Sequence, residues 1–191
     1  MYLPPRLYDL VQVLLGMRTS LARLSPHLAA LDGGVVVDVG GGTGLYQQHL
    51  PATTTCVSLD TDWKKLARAR AERPRGRLVS CDATRISLAD KSVDYAICIG
   101  VAHHLDDAAF RLALREMARV VRRRLIFVDP VRQSRWSFAQ LLWALDDGRH
   151  PRYEAALLDA IGAEFVCEHV ESYRIHHRYL MCVGVPRSTT R

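Results

Sequence analysis

The sequence predicts an α/β fold: a doubly wound, mostly parallel seven-stranded sheet with helices on both faces. Three observations carry that prediction. Apolar, β-branched runs of strand length alternate with stretches of helical periodicity, and that alternation at short spacing calls for right-handed crossovers. One run, Val35-Val36-Val37-Asp38-Val39, is too dense in valine to have a solvent face, as a parallel strand buried on both sides requires. It passes straight into Gly40-Gly41-Gly42-Thr43-Gly44, where glycines let the backbone turn sharply and approach a ligand closely. A helix starting there would aim its first N–H groups at that ligand.

At 191 residues, 49% hydrophobic and 24% charged, the chain reads as a single domain, 1–191, with a full core. It contains no run of about 18 apolar residues to span a membrane, and its Met1-Tyr2-Leu3-Pro4-Pro5-Arg6 start reads as mature, with no leader. Cys56, Cys81, Cys98, Cys167 and Cys182 show no C-x-x-C spacing and lie in apolar runs. They are expected to be buried free thiols in a reducing, cytoplasmic setting rather than metal ligands or disulfides. The net charge of +6 is spread out, with Arg122-Arg123-Arg124 the one tight basic run. Aromatic residues are not interleaved with these bases, which speaks against a single-strand nucleic-acid platform.

Residues 1–32 read as an N-terminal helical cap of one or two helices. Leu7, Leu10, Val11, Leu14 and Leu15 recur at helical spacing, then Leu21, Leu24, Leu28 and Leu31. Ser25-Pro26 reads as an N-cap with proline at the first helical position. Residues 33–129 form the ligand-binding core, with strands at 35–39, 55–59, 77–81, 94–99 and 124–128 and helices at about 43–50, 62–73 and 107–121. Asp129-Pro130 ends the fifth strand. A cap follows over 130–163: an aromatic amphipathic helix at 134–146, a break at Gly148-Arg149-His150-Pro151, and a helix at 152–162 stopped by Gly162. Two strands, 164–171 and 177–185, close the chain within 164–186.

Taken alone, the glycine stretch points to a nucleotide-type ligand. The dinucleotide fingerprint G-x-G-x-x-G/A accommodates Gly40 and Gly42, but its third position falls on Leu45 and Gly44 comes one residue early. A P-loop would close on Gly-Lys-Ser/Thr, which is missing. Asp60 ends the second strand about 20 residues after Asp38, where a carboxylate accepts from two ribose hydroxyls. Capping the helix that begins at Asp62 is the other reading. Asp82 ends the third strand, and a surface turn is the alternative for it. Trp63 either flanks a base or packs in the core.

The pattern Asp38-x-Gly40-x-Gly42-x-Gly44 resembles motif I of class I S-adenosylmethionine-dependent methyltransferases. Val93 to Leu105, with its His103-His104 exit, resembles motif IV of the small-molecule, type 11-like branch. Leu114-x-Glu116-Met117-x-Arg119-Val120-Val121 matches the helix that follows. The resemblance covers nearly all of 33–186 and implies a Rossmann-like sheet whose last strand is antiparallel. It implies S-adenosylmethionine as cofactor, released as S-adenosylhomocysteine, with no metal. By the same resemblance Asp38, Gly40, Gly41, Gly42, Gly44 and Ile99 surround the methionine part and ribose. Asp60 and Thr61 meet the ribose, and Asp82 with Ala83 meets adenine. The usual Pro-Gly-Gly turn before the fifth strand is replaced by Arg122-Arg123-Arg124, so that turn is expected to be shortened or reshaped.

The methyl acceptor should lie above residues 100–104. No Asn/Asp-Pro-Pro-Tyr/Phe stands there, as an amino-group methylase of adenine or glutamine would need, and Cys98 lies within the strand rather than in a nucleophile loop. His103 and His104 remain as candidate bases, since a neutral imidazole takes a proton near neutral pH. One of the pair serving as a structural support is the alternative. Tyr8, Trp136, Trp143 and Tyr153 are the expected walls of the substrate pocket beside His103, with plain packing as the competing reading. The expected function is methyl transfer to an O, N or C atom of a small, possibly apolar metabolite by a monomer or homodimer. The alternatives are an RNA or protein methyltransferase, a cofactor-binding subunit that does not methylate, or a cyclase.

Overall fold

The computed structural model describes residues 17–72, 76–132, 149–175 and 178–188. Strand β1 (Gly34–Val39) lies at the centre of a seven-stranded sheet with β2 (Thr54–Asp60), β3 (Gly76–Ser80), β4 (Val93–Ile99), β5 (Val121–Val131), β6 (Phe165–Arg174) and β7 (Arg178–Pro186). The order is β3-β2-β1-β4-β5-β7-β6. Strands β1 to β5 pair in parallel, and β7 runs antiparallel to both β5 and β6. Six strands therefore point one way and β7 alone points back. The order reverses direction between β1 and β4, which is where the exits of a doubly wound sheet part to admit a ligand.

Side-chain alternation along β1 sorts the core into two layers. Val37 and Val39 join Phe110, Leu114 and Met117 of helix α3 (Asp107–Val120) and Leu157 and Ile161 of α4 (Glu154–Glu164) on one face. Val36 joins Leu24, Leu28 and Leu31 of the α1 segment (helix Met17–Ala29) on the other. Helix α2 (Trp63–Glu72) packs along β2 and β3. Helix α3 forms because Phe110, Ala113, Leu114, Met117 and Val120 fall on one stripe. Asp106 starts it by accepting from the Ala109 amide at 2.8 Å, a cap worth about 1 kcal/mol.

Four local expectations change. Residues 43–50 do not form a helix; Gly44 is left-handed at φ 73° and only a single 3-10 turn follows, Leu45–His49. Pro51 comes too soon for an α-helix to propagate there. Ser25-Pro26 does not start a helix, because α1 runs through Pro26. Ser25 Oγ instead donates to the Leu21 carbonyl at 2.7 Å, and the full burial of Leu24 and Leu28 outweighs the proline's missing amide. Gly162 does not stop α4, which continues to Glu164, held down by the buried Leu157 and Ile161. Between α3 and β5 the turn has vanished: the helix ends at Val120 and the strand begins at Val121. Arg122, Arg123 and Arg124 lie within β5, facing Asp94 at 3.7 and 3.8 Å and Glu168 at 3.1 Å.

Candidate functional site

The exits of β1, β2 and β4 converge around the glycine stretch. Gly40 (φ +69°), Gly42 (φ +53°) and Gly44 (φ +73°) all hold left-handed backbone that other residues adopt only with strain. At Gly40 a Cβ would stand 2.4 Å from Val101 Cγ2, so the loop leaving β1 lies against the loop leaving β4. At Gly41 a Cβ would stand 2.5 Å from Asp38 Oδ2 and 2.8 Å from Ser58 Oγ. The loop thus fits tightly over its own strand ends.

Asp60 fixes the loop from the next strand. Its Oδ2 accepts from the Gly42 amide at 2.9 Å and its Oδ1 from the Asp62 amide at 2.8 Å. A carboxylate offers about four acceptor positions, so room for a ribose diol is left. The helix cap belongs to Asp62, whose Oδ1 accepts from the Lys64 amide at 2.9 Å. Asp82 is exposed and turns back on Thr84, accepting from its amide at 2.8 Å and its hydroxyl at 2.9 Å. Thr61 is exposed, and Ala83 and Ile99 are half-buried. Trp63 is 67% exposed, which overturns the core reading for it.

Asp38 is buried beneath this loop. It lies opposite Ser58 in the β1–β2 register, and Ser58 Oγ donates to its Oδ2 at 3.3 Å while Gln47 Nε2 donates to Ser58 at 2.6 Å. Burial pushes the Asp38 carboxyl up to about 7; the Ser58 hydrogen bond opposes that rise and the Asp60 charge adds to it.

A second polar assembly lies at the exits of β4 and β5. His103 sits in a 3-10 turn, Ala102–His104, and is 5% exposed. Its Nδ1 meets Asp129 Oδ1 at 3.0 Å, and Asp129 Oδ2 accepts from the Ala102 amide at 2.8 Å. The pairing favours the tautomer with the proton on Nδ1. His104 is exposed, its ring centroid 4.1 Å from that of His103.

Arg152 locks this turn in place. Its side chain is buried and donates to the carbonyls of Ala102 (2.7 Å), Leu105 (2.7 Å) and His150 (3.3 Å), and to Asp107 Oδ1 at 2.7 Å. The guanidinium lies 4.8 Å from the Phe110 ring centroid. Its backbone bridges Val131 in parallel on the edge of β5 opposite β7, and the His150 amide donates to the His103 carbonyl at 2.9 Å.

The sequence reading brought Gly40 to Gly44, Asp38, Asp60 and the His103 turn to one end of the sheet, and the structure places them there. It missed two members. Asp129 looked like a strand terminator beside Pro130, and Arg152 stood as the first residue of the helix expected at 152–162. Tyr153 is 50% exposed, with the Arg132 guanidinium 5.4 Å from its ring centroid. Tyr8, Trp136 and Trp143 lie outside the described residues, as does the helix expected at 134–146. Among the described residues, no group of three or more His, Cys, Asp or Glu could hold a metal ion.

Residues 37–128 match the family model described as a methyltransferase domain. Across those residues, just under half of the chain, the sequence is similar to that family of methyltransferase domains. The match spans the glycine loop, Asp60, Asp82, the His103 turn and β5 through Val128. An uncharacterized methyltransferase of Mycobacterium sp. (strain JLS) is 34% identical over 91 residues, covering 47% of this chain. The chain spans 35% of that relative's length. Among solved structures, the magnesium protoporphyrin IX methyltransferase ChlM of Synechocystis PCC 6803, determined with bound SAH, superposes with a TM-score of 0.73 at 17% identity. It covers 91% of this chain and 84% of its own. The cyclase SpnF superposes with a TM-score of 0.70 at 15% identity, covering 87% of this chain and 80% of its own. At such identities the chain shares a fold with these proteins, and substrate does not follow from it.

Proposed function

We propose that this domain binds S-adenosylmethionine across the β1–β4 cleft and transfers its methyl group to an O, N or C atom of a small organic acceptor, releasing S-adenosylhomocysteine. The observation that carries the reading is the glycine loop pinned by Asp60. Its left-handed glycines hold the backbone tight over the strand ends, and the Asp60 carboxylate that pins it keeps acceptor positions free beside it. The methionine part would lie over Gly40, Gly41, Gly42 and Gly44 above Asp38, the ribose against Asp60 and Thr61, and adenine near Asp82 and Ala83. Ile99 would line the floor.

The sulfonium of the cofactor supplies an already activated methyl carbon, so the protein's own share is positioning and water exclusion. In this reading His103, buried and held by Asp129, shapes the wall of the acceptor site. His104, the exposed imidazole of the pair, is the candidate to accept a proton from a bound acceptor. Tyr8, Trp136, Trp143 and Tyr153 would complete the pocket.

A small acceptor is favoured over nucleic acid because basic side chains are engaged by acidic ones. Arg23 pairs with Glu171, Arg68 with Glu72, Arg119 with Glu116 and Asp90, Arg124 with Glu168, and Arg178 with Glu154. A phosphate-tracking surface would hold such bases free of partners. Among the described residues, no helix is long and apolar enough to cross a membrane.

Isothermal titration with S-adenosylmethionine tests the reading. Binding is expected, and Asp60→Ala should weaken it roughly 10- to 100-fold through lost charge-assisted hydrogen bonds. Absence of binding, or an unchanged affinity in Asp60→Ala, would overturn it. If cofactor binds but no S-adenosylhomocysteine forms with any extract fraction, the domain binds without methylating.

A further inference from the structure

The sequence scattered its cysteines with no paired spacing, yet the fold brings two of them into contact. Cys167 on β6 and Cys182 on β7 are 15 residues apart in the chain, with Sγ atoms 2.9 Å from each other. A register irregularity causes the meeting. Cys167 lies opposite Gly184, then the pairing slips between Cys167 and His169, and Val170 lies opposite Cys182. The extra residue draws Cys167 diagonally toward Cys182, and Gly184 presents no side chain between them.

The two thiols differ in access. Cys182 is fully buried, opposite Phe127 in the β5–β7 register, whereas Cys167 is half-buried on the edge strand. Burial pushes the Cys182 thiol up, with the contact to Cys167 adding to the rise. The first encounter with a polar oxidant therefore falls on Cys167. The other cysteines have different surroundings: Cys81 Sγ faces the Asp82 and Arg85 carbonyls at 3.5 Å, and Cys56 and Cys98 are buried in the central strands.

We propose that Cys167 and Cys182 form a peroxide-oxidisable thiol pair, a modification site that closes into a reversible disulfide across the β6–β7 hairpin. Hydrogen peroxide oxidises the Cys167 sulfur to a sulfenic acid and is itself reduced to water. The Cys182 sulfur then attacks the Cys167 sulfur; the S–S bond forms, the S–O bond breaks, and the hydroxyl leaves as water with the Cys182 proton. Overall two thiols lose two protons and two electrons to one peroxide, which becomes two waters. Because both sulfurs are already in contact at 2.9 Å on paired strands, closure to a disulfide of about 2.05 Å brings them together by less than about 1 Å. The resulting bridge ties edge strand β6 to β7 and restricts the unfolded chain.

Intact-protein mass spectrometry after treatment of the purified chain with hydrogen peroxide tests this. The expected result is a mass lower by two hydrogens, three rather than five titratable thiols under denaturing conditions, and a joined pair of tryptic peptides, 153–174 with 179–187. Dithiothreitol should restore all five thiols, and the oxidised protein should melt at a higher temperature than the reduced one. Cys167→Ser, a change at the half-buried partner, should abolish the mass loss while the protein stays folded by circular dichroism. Oxygen addition without loss of two hydrogens, cross-linked dimers in place of the internal bridge, or an unchanged response in Cys167→Ser would overturn the proposal.

Discussion

Asp38 offers the sharpest test, because the carboxyl buried beneath the glycine loop also weakens the fold. It is 2% exposed, and burial carries it from the ordinary 3.8 up to about 7. Between those values the folded protein holds a proton that the unfolded chain has released. The unfolded state then binds fewer protons, so stability falls as pH rises through this window and levels off above about 7. At about 1.4 kcal/mol per pH unit, the full loss attributable to Asp38 is about 4 kcal/mol. Asp38→Asn keeps the shape, preserves a partner for Ser58 Oγ, and removes the ionisation. Urea unfolding at pH about 4, 6, 7 and 8 should therefore give nearly equal stabilities at the acid end. The Asn variant should gain progressively, to at most about 4 kcal/mol at pH 8. The difference between the two proteins reports this carboxyl together with the charges coupled to it. Two curves that run parallel across the range would refute the argument, since the stability of the loop would then not depend on a buried charge at Asp38.

Two further perturbations probe how the loops are held. Gly40→Ala places a Cβ 2.4 Å from Val101 Cγ2 on a φ of +69°, and should cost about 1–3 kcal/mol in thermal unfolding. Adding Val101→Ala should recover the steric part but not the backbone part, so incomplete rescue is the expected outcome. Arg152→Met leaves the carbonyls of Ala102 and Leu105 without their buried donor and should cost about 3 kcal/mol. Arg152→Lys should restore little of it, because an ammonium cannot reach four divergent acceptors as a guanidinium fork does. Equal stability of the Met variant and wild type in denaturant titration would show that Arg152 is not what secures the turn.

What could be read from the sequence was what short-range chemistry determines. The valine run of β1 and the apolar stripe of α3 declare themselves within a few residues, because their burial follows from local spacing. Asp60 could be placed at a strand end, and the loss of the turn ahead of β5 could be inferred from Arg122-Arg123-Arg124 standing where glycines were expected. Arg152 could not be understood this way. Its partners are Ala102, Leu105 and Asp107, roughly fifty residues distant, and nothing near it in the chain distinguishes it from Arg149 or Arg135. Asp129 was hidden for the same reason, its role set by His103 in the turn that leaves β4. Cys167 and Cys182 needed a register slip that no residue pattern announces. Pro26 and Gly162 misled in the opposite sense, since local breakers yielded to the burial of Leu24, Leu28, Leu157 and Ile161 around them.

The two polar assemblies occupy opposite faces of one sheet. Asp38 shares its face of β1 with Val36, which packs on α1, while Asp129 alternates in phase with Phe127 and Val131, which pack with the α3 and α4 layer. What joins them is the contact of Gly40 with Val101, where the loop leaving β1 meets the loop that carries His103. Because that contact has no slack for even a methyl group, displacement of the glycine loop must be accommodated at Val101, and Val101 is one residue from the Ala102 amide held by Asp129. The positions of the glycine loop and of the His103 turn are therefore mechanically linked. A shift of one reaches the other through van der Waals contact alone.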